Sequence, residues 1–406
     1  MLKGKTVVLG VTGSIAAYKI ANLASMLVKQ HADVHVIMTQ NATNFINPIT
    51  FETLTNHKCL VETFDRNFQF HVAHVSLAQK ADIMMIAPAS ANIIAKLAHG
   101  IADDMLSTTA LACNAPIYVS PVMNTRMYEN PITQNNLDVL RKFNMTVIEP
   151  DSGFLACRDT GSGKMPSESV LMEYIMKEIA CSKDLFDKKI LVTAGPTQEA
   201  IDPVRFISNH STGKMGYAIA KRAMLRGADV TLISGPTALT PPAFVNYIPV
   251  TSAADMLAAV TEHAAYQDMI IKSAAVADYT PAEVATEKVK KKSDDLEISL
   301  KRTTDILASL GENKANGQLL CGFSMETENM LENSKKKLEK KHADLIVANN
   351  LKETGAGFGT DTNIVTLITK DAVTELPMLS KEDVADAVLD TLLQLSSSNN
   401  PNKEEA

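Results

Sequence analysis

The stretch Thr6-Val7-Val8-Leu9-Gly10-Val11-Thr12-Gly13-Ser14-Ile15-Ala16-Ala17-Tyr18-Lys19 is an apolar strand running into a small-residue turn and then a helix. Past the midpoint, Lys189-Ile190-Leu191-Val192-Thr193-Ala194-Gly195-Pro196-Thr197 opens in the same way. A strand's carboxyl end followed by a helix N-terminus offers backbone N–H groups to phosphate, so each stretch reads as the opening of a nucleotide-binding α/β domain. Two openings predict two sites.

Outward from the first opening, a helix is expected over 15–29 and strands over 33–38, 83–87, 117–119 and 146–148, with helical stretches between them. The strands are continuous apolar runs rather than alternating ones, the pattern of a parallel sheet covered on both faces. A closing helix over 168–182 and the polar Ser182-Lys183-Asp184 lead to the second opening. There a helix over 215–226 and a strand over 229–233 follow, and 224–233 echoes 26–37, the same βαβ logic used twice. The fold expected is α/β with two Rossmann-like parallel-sheet domains, and a family resemblance carried by motifs of the first half implies that the first is flavodoxin-like. The domains expected are 1–185 and 186–395. Residues 281–302 are charged and lysine-rich, hence a loop or flap with a short strand, and 396–406 read as a disordered tail.

A chain of 406 residues exceeds one ordinary core, and 46% hydrophobic with 21% charged residues is a soluble globular composition. The net charge of −7 argues against nonspecific nucleic-acid binding. No stretch has the length of a membrane span or the pattern of a signal peptide. Five scattered cysteines, none in a Cys-x-x-Cys pair, fit a reducing compartment, so the expected location is the cytoplasm.

The first turn, Gly13-Ser14-Ile15, lacks the full Gly-x-Gly-x-x-Gly pattern. The second strand ends in Thr39, a hydroxyl where a ribose-binding carboxylate would stand. That disfavours NAD and leaves a mononucleotide such as FMN, with Pro88 and Ser90 after a later strand and Ser107 and Thr108 as further contacts. Ordinary strand-to-helix turns are the competing reading. His74 is a general base, one of a metal pair with His71, or a surface histidine. Asn124, in Pro121-Val122-Met123-Asn124-Thr125-Arg126-Met127, is a helix cap or an amide that holds a substrate carboxylate. Cys157 sits beside Arg158 in a loop with three glycines, a setting for a lowered thiol pKa and for closure over a ligand.

In the second half, Ser208-Asn209-His210-Ser211-Thr212-Gly213-Lys214-Met215-Gly216 is not a P-loop, although its helix N-terminus suits a triphosphate. Asp278 is a magnesium ligand, a contact to a base edge or a turn residue. Lys288 lies in a charged flap. Lys337 and Lys341 share a helix face and repel by about 0.2–0.5 kcal/mol. With Lys336 and Lys340 they form a solvated face or an anion cradle, and composition favours the solvated face.

Three motifs in order, His74-Val75-Ser76-Leu77-Ala78, the Asn124 segment and the Cys157 loop, resemble the flavin-dependent phosphopantothenoylcysteine decarboxylases. The resemblance implies FMN as the cofactor, His74 as base, Asn124 on the substrate carboxylate and Cys157 as proton donor. By that family's mechanism the thiol is first oxidised to a thioaldehyde, which takes up the electrons left when CO₂ departs. The second half resembles the phosphopantothenate–cysteine ligases through the Asn209 segment, Ala274-Ala275-Val276-Ala277-Asp278-Tyr279, Glu287-Lys288, Gly322-Phe323-Ser324-Met325-Glu326-Thr327 and Lys337 to Asn349. The resemblance implies that CTP activates 4′-phosphopantothenate as an acyl-cytidylate and that cysteine displaces CMP. Asn209 and Lys288 then serve catalysis. Ala275, Asp278, Asp305, Ile306, Phe323, Lys337 and Lys341 bind the nucleotide and substrates, and Mg²⁺ shields the phosphates. Thr303-Thr304 stand where that family often has Asn-Pro, and Arg158 where the decarboxylases have Gly. The two resemblances together cover nearly the whole chain and imply a homo-oligomer, trimer-based in the decarboxylase and dimeric in the ligase. The alternatives are a regulatory FMN-binding protein and a peptidyl-cysteine decarboxylase.

Overall fold

In the computed structural model, alternate residues of the opening strand β1 (Thr6–Val11) are buried on opposite faces of a sheet. Val7, Leu9 and Val11 pack with Ile20, Leu23 and Leu27 of the helix Ala17–Lys29 and with Leu171 and Ile175 of the helix Glu168–Ile179. Val8 packs on the other side with Ile93, Leu106 and Leu137, from three further helices. This double cover is why the strands read as unbroken apolar runs. The described residues are 1–64, 73–154, 160–290, 296–325, 330–349 and 360–398. They fall into two compact units, Met1–Cys181 and Ser182–Ala406.

The first unit adds β2 (Asp33–Met38), β3 (Ile83–Ala89), β4 (Ile117–Pro121) and β5 (Thr146–Val147) to β1, all parallel in the order β2-β1-β3-β4-β5. That is the flavodoxin-like order, in which the chain reverses its direction of travel between β1 and β3. An antiparallel hairpin, Asp151–Phe154 with Thr160–Lys164, follows β5.

The second unit holds an eight-stranded sheet. Its spatial order is Asn246–Pro249, Asp229–Ser234, Lys189–Ala194, Met269–Lys272, Leu319–Met325, Leu345–Asn349, Val365–Ile368 and Val373–Glu375. The first six are parallel and, counted along the chain, run 3-2-1-4-5-6, the Rossmann order. The last two are antiparallel additions. The two halves therefore share their first βαβ step and then diverge. Strand three pairs with the opening strand in the first unit and with strand two in the second, a choice that a repeated local pattern does not specify. Within the lysine-rich segment, Tyr279–Pro281 pairs with Leu300–Arg302.

The chain's last helix, Lys381–Ser398, packs on the helix Lys214–Leu225. Just beyond the latter, Arg226 is 5% exposed and pairs with Asp184 and Asp390, each at 2.7 Å. The helix continues three residues into the expected tail. Its end is held by the Ser397 and Ser398 hydroxyls, which donate to the carbonyls of Leu393 and Gln394. The rest of that tail lies outside the described residues. Among the described residues no helix is long and apolar enough to cross a membrane.

The helix Lys214–Leu225 approaches the opening strand of its sheet closely. A Cβ on Gly216 would lie 2.6 Å from the Ala194 Cβ and 3.0 Å from the Thr193 carbonyl oxygen. Overpacking of this kind costs about 1–3 kcal/mol. Gly216→Val is expected to lower unfolding stability by that amount, read from urea melts of the full chain, and an unchanged midpoint would show that the contact yields.

Candidate functional site

Each sheet is opened by a strand whose turn is tied, at the switch point, to the turn of the strand beyond. In the first unit the buried Thr12 hydroxyl donates to the Pro88 carbonyl at 2.6 Å and accepts the Ser90 N–H at 2.9 Å. In the second, the Thr193 Oγ1 accepts the Ala274 N–H at 3.2 Å and the Thr197 Oγ1 the Ala277 N–H at 3.0 Å. The Ala275 N–H donates to Gly195 at 2.9 Å. Ligands of open α/β sheets bind in this crevice, outside the carboxyl ends of the strands.

The first cleft, about 560 Å³, opens there. Ser14, Ile15 and Ala16 form one wall at the start of the helix Ala17–Lys29, whose first turn has no side-chain cap. Val122, Met123 and Asn124 form another, and Phe154, Gly163 and Lys164 of the hairpin, with Met165 just beyond it, close the third, Lys19 completing the lining. The Asn124 Oδ1 accepts the Arg126 N–H at 2.9 Å, so this residue caps a short helix and also faces the cleft. Two of the three glycines around the Cys157 loop, Gly161 and Gly163, let the hairpin press onto this segment. A Cβ on Gly163, at φ +129°, would stand 2.2 Å from the Met123 carbonyl oxygen. The Met123 N–H donates to the Gly163 carbonyl at 3.2 Å.

Of the expected cofactor contacts, Ser14 and Ile15 line the cleft with Asn124. Gly13, Thr39 and Ser90 stand in the turns after β1, β2 and β3, and Pro88 is the next-to-last residue of β3. Ser90 also caps the helix Ala91–His99. Ser107 is buried in a capping box, its hydroxyl donating to the Asp104 carboxylate at 2.9 Å, and Thr108 donates to the Ala102 carbonyl at 3.4 Å. The helix N-terminus thus uses both hydroxyls, and neither lines the cleft. His74 is half-buried on the helix Ala73–Lys80, outside the cleft lining. Cys157, Arg158 and His71 lie outside the described residues.

The second cleft has two adjoining lobes of about 360 and 280 Å³, which share Lys272, Val276, Asp278, Phe323 and Lys337. The larger lobe runs over Thr303, Thr304, Asp305 and Ile306. The smaller lies over the start of the helix Lys214–Leu225 and over Ala275, Asn349, Asn363 and Lys381. Gly213 is that helix's N-cap and no side chain caps it, so Ser211 and Thr212 leave its first turn open. An uncapped N-terminus among four lysines (Lys214, Lys272, Lys337, Lys381) attracts anions.

The lysines on the helix Met330–Lys340 divide. Lys336 and Lys340 are exposed, and Lys336 pairs with Glu332 at 2.7 Å. Lys337 turns inward and donates to the Phe323 carbonyl at 3.3 Å, while Lys341 pairs with Asp305 at 2.8 Å. Lys336 and Lys340 thus form a solvated face, whereas Lys337 lines both lobes and Lys341, which lines neither, is engaged by Asp305. Burial opposes ionisation of Asp305. The Lys341 ammonium and the Ala308 N–H outweigh it and hold the carboxyl below its ordinary value. At Lys272 burial pushes the ammonium below its ordinary value and Lys337 reinforces this, against the pull of Asp305 and Asp278.

Asn209 and Lys288 line neither lobe. The Asn209 amide donates to the Ala275 carbonyl at 2.9 Å, which places it at the rim. Lys288 is exposed, next to Val289, whose N–H donates to the buried Asp202 at 3.1 Å and whose carbonyl accepts from Arg205 at 2.9 Å. Sequence reasoning did not single out Lys272, Lys214, Lys381 or Thr12. A lysine closing the buried run Met269-Ile270-Ile271 was the available signal for the first.

Two families match the chain: flavoprotein over residues 1–180, and DNA/pantothenate metabolism flavoprotein C-terminal domain over residues 185–395. The Coenzyme A biosynthesis bifunctional protein CoaBC of Bacillus subtilis is 47% identical over 400 residues, spanning 98% of each chain. That of Haemophilus influenzae is 42% identical over 393 residues, spanning 97% of this chain and 98% of the relative. A solved C-terminal domain of Coenzyme A biosynthesis bifunctional protein CoaBC is 48% identical, with a TM-score of 0.47, and spans 53% of this chain and 100% of that one.

A bound polyanion raises the depressed Lys272 value back toward normal, so binding takes up a proton on the alkaline side. Triphosphate affinity is expected to fall as pH rises through the depressed Lys272 range. Calorimetry in buffers of different ionisation enthalpy measures the uptake. If Lys272→Met leaves the same pH profile, the proton belongs elsewhere.

Proposed function

The chain belongs to the family of coenzyme A biosynthesis bifunctional proteins, and we propose that its second unit joins 4′-phosphopantothenate to cysteine at the expense of CTP and its first decarboxylates the product with FMN. It is a phosphopantothenate–cysteine ligase and a phosphopantothenoylcysteine decarboxylase in one chain. The observation that carries this reading is the contrast between the two clefts. Both sit at a switch point, but one is walled mostly by small and apolar residues around the Asn124 amide, with two lysines (Lys19 and Lys164), and the other gathers four lysines over an uncapped helix start.

FMN fits the first cleft. The uncapped turn at Ser14–Ala16 suits its phosphate, and Val122, Met123 and Met165 suit the faces of a flat ring. Bound there, FMN supplies two-electron redox chemistry. Asn124, its Oδ1 held by Arg126, orients the substrate carboxylate through its amide donors, and the Phe154 hairpin excludes water. His74 acts as base, and Cys157 delivers a proton to the decarboxylated product. Ile15 and Tyr18 are each 56% exposed and Phe154 67%, which supports a homo-oligomer whose neighbouring copy covers this wall.

In the second cleft, Lys272 and Lys337 neutralise the triphosphate, with Mg²⁺ held through its phosphates and Asp278. Asp305, Ile306 and Phe323 hold the rest of the nucleotide, and Lys341 fixes Asp305. The 4′-phosphopantothenate carboxylate attacks the α-phosphorus and expels pyrophosphate. The cysteine amine then attacks the acyl carbon and expels CMP. Lys288, carried on the segment pinned through Val289, stabilises the charge of the first step, and Asn209 at the rim serves the second. The protein works in the cytoplasm.

Purified protein is expected to be yellow and to release FMN on denaturation; a colourless protein that takes up no FMN sinks the first assignment. With 4′-phosphopantothenate, cysteine and CTP the full chain should release CO₂, CMP and pyrophosphate together. In the same assay Lys288→Gln should slow acyl-cytidylate formation about 100-fold or more while leaving decarboxylation of supplied 4′-phosphopantothenoylcysteine intact. Normal accumulation of the acyl-cytidylate would remove Lys288 from that step.

A further inference from the structure

At the opposite end of the first unit's sheet, Asp33, His35 and His57 form a cluster that the proposed chemistry does not use. Asp33 and His35 are two apart on β2 and so share a face of the strand. His57 comes from the segment that returns alongside β2, where Leu60 bridges to Ile37. The His57 Nε2 lies 2.6 Å from Asp33 Oδ1 and the His35 Nε2 3.2 Å from Asp33 Oδ2. The two imidazoles stack with centroids 4.1 Å apart. One ligand atom from each of the three residues falls within 4.8 Å of the others.

We propose that Asp33, His35 and His57 bind one borderline divalent transition-metal ion of the Zn²⁺ class, the fourth position being taken by water. Two imidazoles and a carboxylate are a zinc donor set, and imidazole disfavours Mg²⁺ and Ca²⁺. Zn²⁺ bonds of about 2.0–2.2 Å place tetrahedral donors about 3.4 Å apart. The donors therefore need to close by about 1.4 Å, and the two rings, stacked at 19°, need to unstack so that both in-plane lone pairs meet at one ion, a rotation available to the His57 side chain, which is 39% exposed. Binding needs both Nε2 lone pairs, so in the loaded site each neutral ring carries its proton on Nδ1. The ion takes Asp33 Oδ1, and the Lys80 ammonium, 2.5 Å from Oδ2, stays as the outer partner that orients the carboxylate. Cys59, two residues from His57, is buried in the apolar core and adds no thiolate.

The site is independent of the flavin cleft. Asp33 pairs with Thr6 at the start of β1, five residues before its carboxyl end, or about 16 Å at 3.3 Å per residue. Its effect is to staple the 56–60 segment to the outer edge of β2.

The test is a titration of chelator-treated full-length protein with Zn²⁺ against a chromophoric chelator, with Mg²⁺ in parallel. One Zn²⁺ per chain, insensitive to millimolar Mg²⁺, is expected. His57→Gln and Asp33→Asn should each weaken it at least about tenfold with unchanged circular dichroism and flavin content. Equal affinity in wild type and both variants, or no bound Zn²⁺, overturns the assignment. Should either variant misfold, anomalous diffraction from Zn²⁺-soaked wild-type crystals decides. A peak among the three side chains supports the site, and its absence there overturns it.

Discussion

Buried threonine hydroxyls hold both switch points of this chain together. Parallel strands all end on the same side, and where the order reverses, two neighbouring turns leave in opposite directions and open a crevice. Such a crevice exposes backbone N–H and C=O groups that the sheet no longer pairs. Thr12 in the first unit, and Thr193 with Thr197 in the second, satisfy part of this set across the gap. They fix the separation of the turns while the adjoining helix N-termini stay open. The walls of the two clefts depend on that spacing.

What fills each crevice then differs. In the first, the hairpin packs its glycines against Met123–Thr125, bringing Phe154 and Met165 over the turn and leaving one amide, Asn124, to face the cleft. In the second, Lys272 and Lys337 share one half-enclosed space, where Lys337 disfavours the charge on Lys272. Asp278 and Asp305 offset only part of this, because Lys341 already engages Asp305. Such a space is matched to a polyanion, which relieves the repulsion that the fold maintains. The two clefts thus differ in chemistry: a largely apolar slot around an amide in one, a cationic space matched to a polyanion in the other.

Periodicity made the strands of both sheets and the helices Ala17–Lys29 and Lys214–Leu225 legible, since a doubly covered strand and a half-covered helix have distinct apolar patterns. It failed where a residue's partner is distant in the chain. Lys336 and Lys337 are neighbours of one type, yet one meets Glu332 in solvent and the other the carbonyl of Phe323, a distinction set by which helix face Leu338 buries. Ser107 looked like a ligand because hydroxyls suit phosphates, but Asp104 three residues earlier claims it for a capping box, a local rule that was available. Lys381 sits about 100 residues from Lys272 and only the closed sheet brings them to one lobe.

By itself the sequence determined two α/β units, their opening turns and the motifs that identify the family, because apolar periodicity and short-range turn chemistry are local properties of a chain. The family resemblance already implied a flavodoxin-like first unit; the tertiary structure added the strand orders themselves, 2-1-3-4-5 in one and 3-2-1-4-5-6 in the other. The side on which a crossover returns depends on packing between elements rather than on any one of them. It also decided which lysines converge, which hydroxyls are consumed by caps, and that Asp33, His35 and His57 meet at a sheet edge. Those are distances between elements, and they come into being only when the sheets close.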